Sequence, residues 1–215
     1  MSQTSYRVLA SAMANPSDVT PRKQPSQPRA AATVAAVVEA SARILEEGGL
    51  GAFNTNAVAA RAGVSIGSLY QYFPGKDAIL ASLIRREAEA FDTALTEAVA
   101  QTGELGTSSA VALLAKVAVA HQASRPRLSR ILDLEEQRLG LADEADAAGA
   151  RTGGAIARFL AQRHLGEDEA AWDILHLSRG LIDGALERGA AEGLEKRLAW
   201  AILGYLALSR QAPSA

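Results

Sequence analysis

The chain has 215 residues, 48% of them hydrophobic, and no cysteine, so it can bury a packed core but can form neither a disulfide nor a thiolate metal site. Its formal net charge of −2 is unevenly divided: residues 1–86 hold 9 Lys+Arg against 5 Asp+Glu, net +4, and the remainder holds 13 against 19, net −6. No apolar run approaches the ~20 residues of a membrane span, and the start lacks a charged-then-apolar leader pattern, so a soluble, cytoplasmic protein is expected.

Residues 1–29 place Pro16, Pro21, Pro25 and Pro28 among Ser, Gln and Ala. That composition cannot bury a core and predicts a disordered, solvated tail, with Met13 as an alternative start. Arg22, Lys23 and Arg29 give the alternative reading, an arm that touches phosphates or a minor groove as N-terminal arms sometimes do, with the solvated tail the favoured one. Ala30 to Glu47 is predicted as the first helix, with Val34, Val37, Val38, Ser41, Ile44 and Leu45 in one stripe at helical spacing. Gly48-Gly49 ends it. The GGLG cluster is not preceded by a strand, so it reads as a helix stop rather than a phosphate loop.

The next stretch, Phe53 to Leu80, is FNTNAVAARAGVSIGSLYQYFPGKDAIL. Asn54 is an N-cap residue type, and Phe53 and Val58 have the spacing of a hydrophobic staple. This second helix runs through Arg61 and stops at Gly63, the residue best able to take the left-handed conformation. Val64, Ser65 and Leu69 repeat the staple-and-cap pattern for a third helix, Ile66 to Tyr72. Pro74 limits that helix to about Phe73. Gly75 precedes a fourth, opening Lys76-Asp77.

Two short helices around a glycine turn also occur as a plain hairpin in an all-α core. They are equally the helix-turn-helix pattern, whose second helix enters the DNA major groove. Leu69 and Phe73, four apart, would face the core. Ser65, Ile66, Gly67, Ser68, Tyr70, Gln71 and Tyr72 are left to face DNA. The segment AVAARAGVSIGSLYQYFPGKDAIL closely resembles the DNA-binding segment of TetR-family transcriptional regulators, and the resemblance extends from about Ala30 to Ile84. It implies an all-α fold of about nine helices: an N-terminal three-helix helix-turn-helix domain over 30–76, then a helical ligand-binding and dimerisation domain over 77–215. It also implies phosphate-positioning roles for Tyr70, Tyr72 and Lys76. Thr55 can reach a phosphate through its hydroxyl, and the amides around Lys76 open a helix N-terminus suited to phosphate. Ser65, Ser68 and Gln71 are candidates for base edges, Gln71 for adenine. The recognition helix carries no arginine; Arg61 on the preceding helix is a candidate guanine reader or a structural salt-bridge partner. The basic N-terminal part and acidic remainder suit such a DNA-binding module joined to a domain that stays off DNA.

Lys76 to about Gln101 is predicted as one long helix shared by both domains, with Ile79, Leu80, Leu83, Ala90, Leu95 and Val99 apolar. Further helices are expected over Ser108–Ser124, Pro126–Gly140 (Pro at N1), Ala142–His164 with an interruption at Gly153-Gly154, Glu167–Glu192 and Leu194–Arg210. The last two carry apolar residues on more than one face, wider than a core stripe needs. With the resemblance, that width implies a homodimer through a four-helix bundle.

His121, Leu128, Leu132, Trp172 and His176 are the candidate ligand-binding residues. Asp173, His176, Arg179 and Asp183 share a helical face, which reads as a solvated face, a pocket lining or an interface network. No HExxH, G-x-S-x-G, Walker A or Rossmann pattern is present, so no catalytic residue, metal or cofactor is expected. The expected function is a ligand-responsive regulator, a repressor that binds a palindromic operator as a homodimer and is released by a small-molecule effector. The alternative is an all-α protein–protein interaction module that has lost DNA binding.

Overall fold

The computed structural model describes residues 19–21, 28–166 and 168–209. Within them lie α1 (Pro28–Gly48), α2 (Thr55–Ala62), α3 (Ile66–Tyr72), α4 (Lys76–Ala100), α5 (Thr107–Ser124), α6 (Pro126–Leu139), α7 (Ala142–Gln162), α8 (Asp168–Glu187) and α9 (Leu194–Ser209). No strand is formed among the described residues, and no helix among them is long and apolar enough to cross a membrane. Most of the expected tail, including Arg22 and Lys23, lies outside the described residues. Its described part departs from the expectation of an unpacked segment: Val19 is buried in a hydrophobic core, and its carbonyl accepts from Arg85 Nη1 at 3.2 Å.

The chain forms two compact units. One comprises residues up to Glu87 together with Arg127–Ala145; the other comprises Ala88–Pro126 and the residues from Asp146 onward. The first therefore extends beyond the 30–76 span of the helix-turn-helix, taking in three turns of α4 and nearly all of α6.

In the first unit α1 packs on α2 and α2 on α3. The stripe on α1 is buried as its spacing requires, with Val37, Val38, Ile44 and Leu45 in the core. Ser41, also buried, returns its hydroxyl proton to the Val37 carbonyl at 2.8 Å. On α4, Ala78, Ile79, Leu80 and Ala81 are consecutive and all buried, followed by Leu83 and Ile84. Four consecutive buried positions cover the whole circumference of a helix, so α4 is enclosed at this level.

The end of α1 and the start of α6 satisfy each other's orphan groups. Glu46 Oε2 accepts from the Leu128 amide at 2.7 Å, and Arg127 Nη1 donates to the Glu47 carbonyl at 2.9 Å. A carboxylate thus stands at a helix N-terminus and a guanidinium at a C-terminus, the signs that both helix dipoles favour. Arg85 grips Glu144 through two bonds of 2.6 and 2.7 Å, which holds the Glu144 carboxyl below its ordinary value.

In the second unit α9 packs against α5 and α8, which also touch each other. Val111, Val119, Phe159, Leu160, Ile174, Ile182, Leu198, Ile202 and Leu206 form the core. Two boundaries differ from the sequence expectation. The interruption at Gly153-Gly154 is absent: α7 runs through it, and a Cβ on buried Gly153 would meet Trp172 Cε2 at 3.9 Å, an ordinary contact. And α8 ends at Glu187 rather than Glu192, because Gly189 takes φ +65° and the Ala190 amide donates back to the Ala185 carbonyl at 2.8 Å. That back-bonded stop closes the helix a turn early.

The same stop ends α2 and α7. At α2, Gly63 has φ +68° and the Val64 amide donates to the Ala59 carbonyl at 3.0 Å. At α7 the left-handed position is filled by His164, φ 53°, with the Leu165 amide donating to the Leu160 carbonyl at 3.0 Å. A side chain in this conformation is strained by about 1–2 kcal/mol, whereas glycine is not. Gly63→Ala should therefore destabilise the chain by about 1 kcal/mol although nothing lies within 4 Å of the added Cβ. His164→Gly should stabilise it by about 0.5–1 kcal/mol after the extra freedom of glycine in the unfolded chain is subtracted. Urea denaturation of both variants against the parent measures the pair; the same sign for both would contradict the account.

Candidate nucleic-acid interface and an apolar cavity

Local capping fixes how α2 and α3 present their outer faces. Asn54 is extended (φ −149°, ψ 161°), and its Oδ1 accepts from the Ala57 amide at 2.9 Å. Ser65 is likewise extended; its Oγ accepts from the Ser68 amide at 3.0 Å and lies 2.8 Å from the Ser68 hydroxyl. Phe53 and Val58 are buried below the first cap. Leu69 and Phe73 are fully buried, so the seven-residue α3 can turn only one face inward.

What remains outward is the set read from the sequence. Ser65, Ile66, Gly67, Tyr70, Gln71 and Lys76 are exposed, while Thr55, Ser68 and Tyr72 are half-buried. Ile66 and Tyr70, four apart, are each 40% exposed, an unusual state for large side chains with a core available beneath them. Tyr70 Oη and Thr55 Oγ1 lie 3.2 Å apart, which joins the outer faces of α2 and α3 through two hydroxyls. Tyr72 packs partly against the core. The surface is therefore a cluster of hydroxyls, one side-chain amide, one isoleucine and one ammonium.

Arg61 adds no free charge to this surface. Its guanidinium forks onto Glu47 with bonds of 2.5 and 2.6 Å. That pairing holds the Glu47 carboxyl below its ordinary value and raises Arg61 further. Of its two sequence readings, the salt-bridge role is the one formed. Every group in the cluster that carries a proton can donate to a phosphate oxygen, and Gln71 can both donate and accept at a base edge.

The second unit holds a partly open cavity of about 60 Å³. Its wall comes from α4, α5, α7, α8 and α9, and is apolar except for Thr152 and Ser178. None of the five residues proposed from sequence for ligand binding lies in that wall. Leu128 and Leu132 are buried in the core of the first unit. Trp172 and His176 stack on each other on the outside of α8, ring centroids 5.7 Å apart, with His176 Nδ1 2.8 Å from the Trp172 carbonyl. His121 comes nearest: its ring is 4.9 Å from that of Phe91, which does line the cavity. The wall had no linear signature, since its residues are ordinary core types contributed a few at a time by five helices.

Comparison with known proteins agrees with this geometry. The family model described as bacterial regulatory proteins, tetR family, matches residues 37–83, which span the buried half of α1, all of α2 and α3 and the enclosed start of α4. The HTH-type transcriptional repressor KstR of Mycolicibacterium smegmatis is 29% identical over 174 residues, 77% of this chain and 83% of that protein. Among solved structures, a TetR-family transcriptional regulator from Streptomyces coelicolor superposes with a TM-score of 0.60 at 21% identity, over 81% of this chain and 98% of that one. A complex of SmeT with triclosan superposes with a TM-score of 0.60 at 19% identity, over 82% and 91%. At those identities the structural likenesses speak for the fold. The family model and the repressor relative speak for the exposed α2 and α3 surface: residues 37–83 match the helix-turn-helix segment of the tetR family of bacterial regulatory proteins, and the chain as a whole is similar to a helix-turn-helix transcriptional repressor.

Proposed function

We propose that the chain is a homodimeric repressor that holds a palindromic operator in the cytoplasm and is released from it by a small-molecule effector. The observation that carries the DNA half of this reading is the outward face of α3. Leu69 and Phe73 bury its inner face and leave Ser65, Ile66, Gly67, Ser68 and Gln71 for base edges, with Thr55, Tyr70, Tyr72 and Lys76 around them for phosphates. Ile66 suits apolar contact with a thymine methyl and Gln71 suits adenine. With Arg61 held by Glu47, the surface favours a half-site read through A·T pairs.

The dimer is supported by the outer faces of α8 and α9. Trp200 and Leu208 are each 69% exposed and Trp172 43%, whereas large apolar side chains so placed in a monomer would stay in water. The functional division proposed is a DNA-binding part over 30–76 and an effector and dimerisation part over 77–215. The effector half of the reading rests on the apolar cavity and on the small molecule, triclosan, held by the similarly folded SmeT.

Selection of genomic fragments by the purified chain, followed by titration against the selected duplex across salt concentrations, tests the DNA reading. Lys76→Ala should weaken binding to every sequence and reduce the salt slope by about 1 per protomer, while Gln71→Ala should remove about 1–3 kcal/mol from the cognate site alone. Affinity unchanged in both variants would leave the interaction-module alternative standing. Light scattering tests the dimer: the parent should weigh twice the 22.4 kDa of one chain, and Trp200→Asp should shift it toward 22.4 kDa. A parent at 22.4 kDa at micromolar concentration would end the dimer reading.

A further inference from the structure

We infer that the cavity of the second unit selects an uncharged, largely apolar molecule carrying one hydrogen-bonding oxygen, and rejects carboxylates of the same size. This inference rests on the proposed reading of that cavity as the effector site and specifies its chemistry. Three observations carry it.

The first is the composition of the wall. Aromatic rings from Phe91 and Phe159 and aliphatic groups from every contributing helix leave two polar side chains, the hydroxyls of Thr152 and Ser178. No Lys, Arg or His lies in the wall. A carboxylate brought there would give up its water with no cation to meet it, which disfavours it strongly against a neutral group.

The second is what stands behind Thr152. That threonine is buried, and its hydroxyl donates to Asp92 Oδ1 at 2.9 Å; Arg151 Nε holds the other carboxylate oxygen, Oδ2, at 2.6 Å. Thr152 has therefore committed its proton to an anion, and its oxygen is left to accept from a ligand hydroxyl. An anionic ligand at that position would face a lone pair backed by a carboxylate. Arg151 stays on the far side of Asp92, outside the wall. Ser178 supplies a second hydroxyl to the wall, able to donate to a ligand oxygen.

The third is size. The cavity volume of about 60 Å³ is several times the roughly 10–15 Å³ that one water needs on the same measure, so the site has room for more than a single water. The fully buried side of the wall, around Val111, Leu160 and Leu198, has least room to yield. The half-buried side, with Phe91, Leu114 and Ile156, is the side nearest solvent. Flexible aliphatic chains enter such a space more readily than rigid polar ones.

Calorimetric titration of the full chain with decanol and with decanoate at neutral pH, where the carboxyl is ionised, tests the inference. Decanol should bind at least about ten-fold more tightly. Ser178→Ala and Thr152→Val should each weaken decanol about three- to ten-fold, the effect of one hydrogen bond. Ala118→Phe, which fills the cavity from its half-buried side, should abolish binding with helicity retained by circular dichroism. Decanoate binding as tightly as decanol and lost in Ala118→Phe would overturn the neutral-ligand inference and leave the effector site intact. Absence of binding by either probe would overturn both. The decanol-to-decanoate ratio on the parent chain depends on no variant and remains decisive if a substitution prevents folding.

Discussion

The enclosure of the first two turns of α4 is the constraint on which the DNA-binding unit depends. Ala78, Ile79, Leu80, Ala81, Leu83 and Ile84 are buried here, with Ser82 among them half-buried. Full burial of each leucine or isoleucine contributes about 1.5–3 kcal/mol. That burial is available only if neighbouring elements close around α4 from every side, and the core that does so draws on α1, α2, α3 and α6. Arg138 adds a polar clasp, donating to Asp77 Oδ1 at 2.7 Å and to the buried Glu135 at 2.7 Å. The short α2 and α3, eight and seven residues long, lie below the length at which isolated helices are stable. Their geometry is inherited from this core and from their caps.

A surface built this way is anchored where it meets the core and chemically plain where it meets solvent. Its one exposed ammonium, Lys76, begins the same helix whose next turns are buried, so this charge and the core share one rod. The pairing of Arg61 with Glu47 leaves an amide, hydroxyls and an isoleucine as the outward groups of α3 and its cap. Such a surface gains affinity from hydrogen bonds and shape, with a modest electrostatic contribution, unlike surfaces that rely on many phosphate-bound cations.

The second unit obeys a different logic. Its helices are apolar on more than one face, and packing five of them leaves both a small apolar void and exposed tryptophans. The polar groups beside the void are not idle: Thr152, Asp92 and Arg151 form a chain of charge-assisted bonds, so the half-buried Asp92 carboxylate is already satisfied. Tyr205 shows the same economy of polar groups on α9, donating to Asp173 at 2.5 Å with its own ionisation pushed up to about 12 by that carboxylate. The face shared by Asp173, Arg179 and Asp183 is thus spent on local pairing, Arg179 lying 3.9 Å from Asp183.

The sequence by itself determined the helix-turn-helix: its two caps, its glycine stop, its inward Leu69 and Phe73, and hence its outward residues. All of that is local chemistry acting over three or four residues, and local chemistry is written in order along the chain. It missed where such local rules compete. His164 fills a left-handed stop that composition assigns to glycine, and Gly153-Gly154 sits quietly inside a helix because α7 is held by its neighbours. Tertiary structure alone decided that Glu46 and Arg127 would cap helices some 80 residues apart, that Leu128 and Leu132 would serve the first unit's core, and that the cavity would be walled by Phe91, Thr152 and Ser178. A void is the space that several helices fail to fill together, so no single helix carries a record of it.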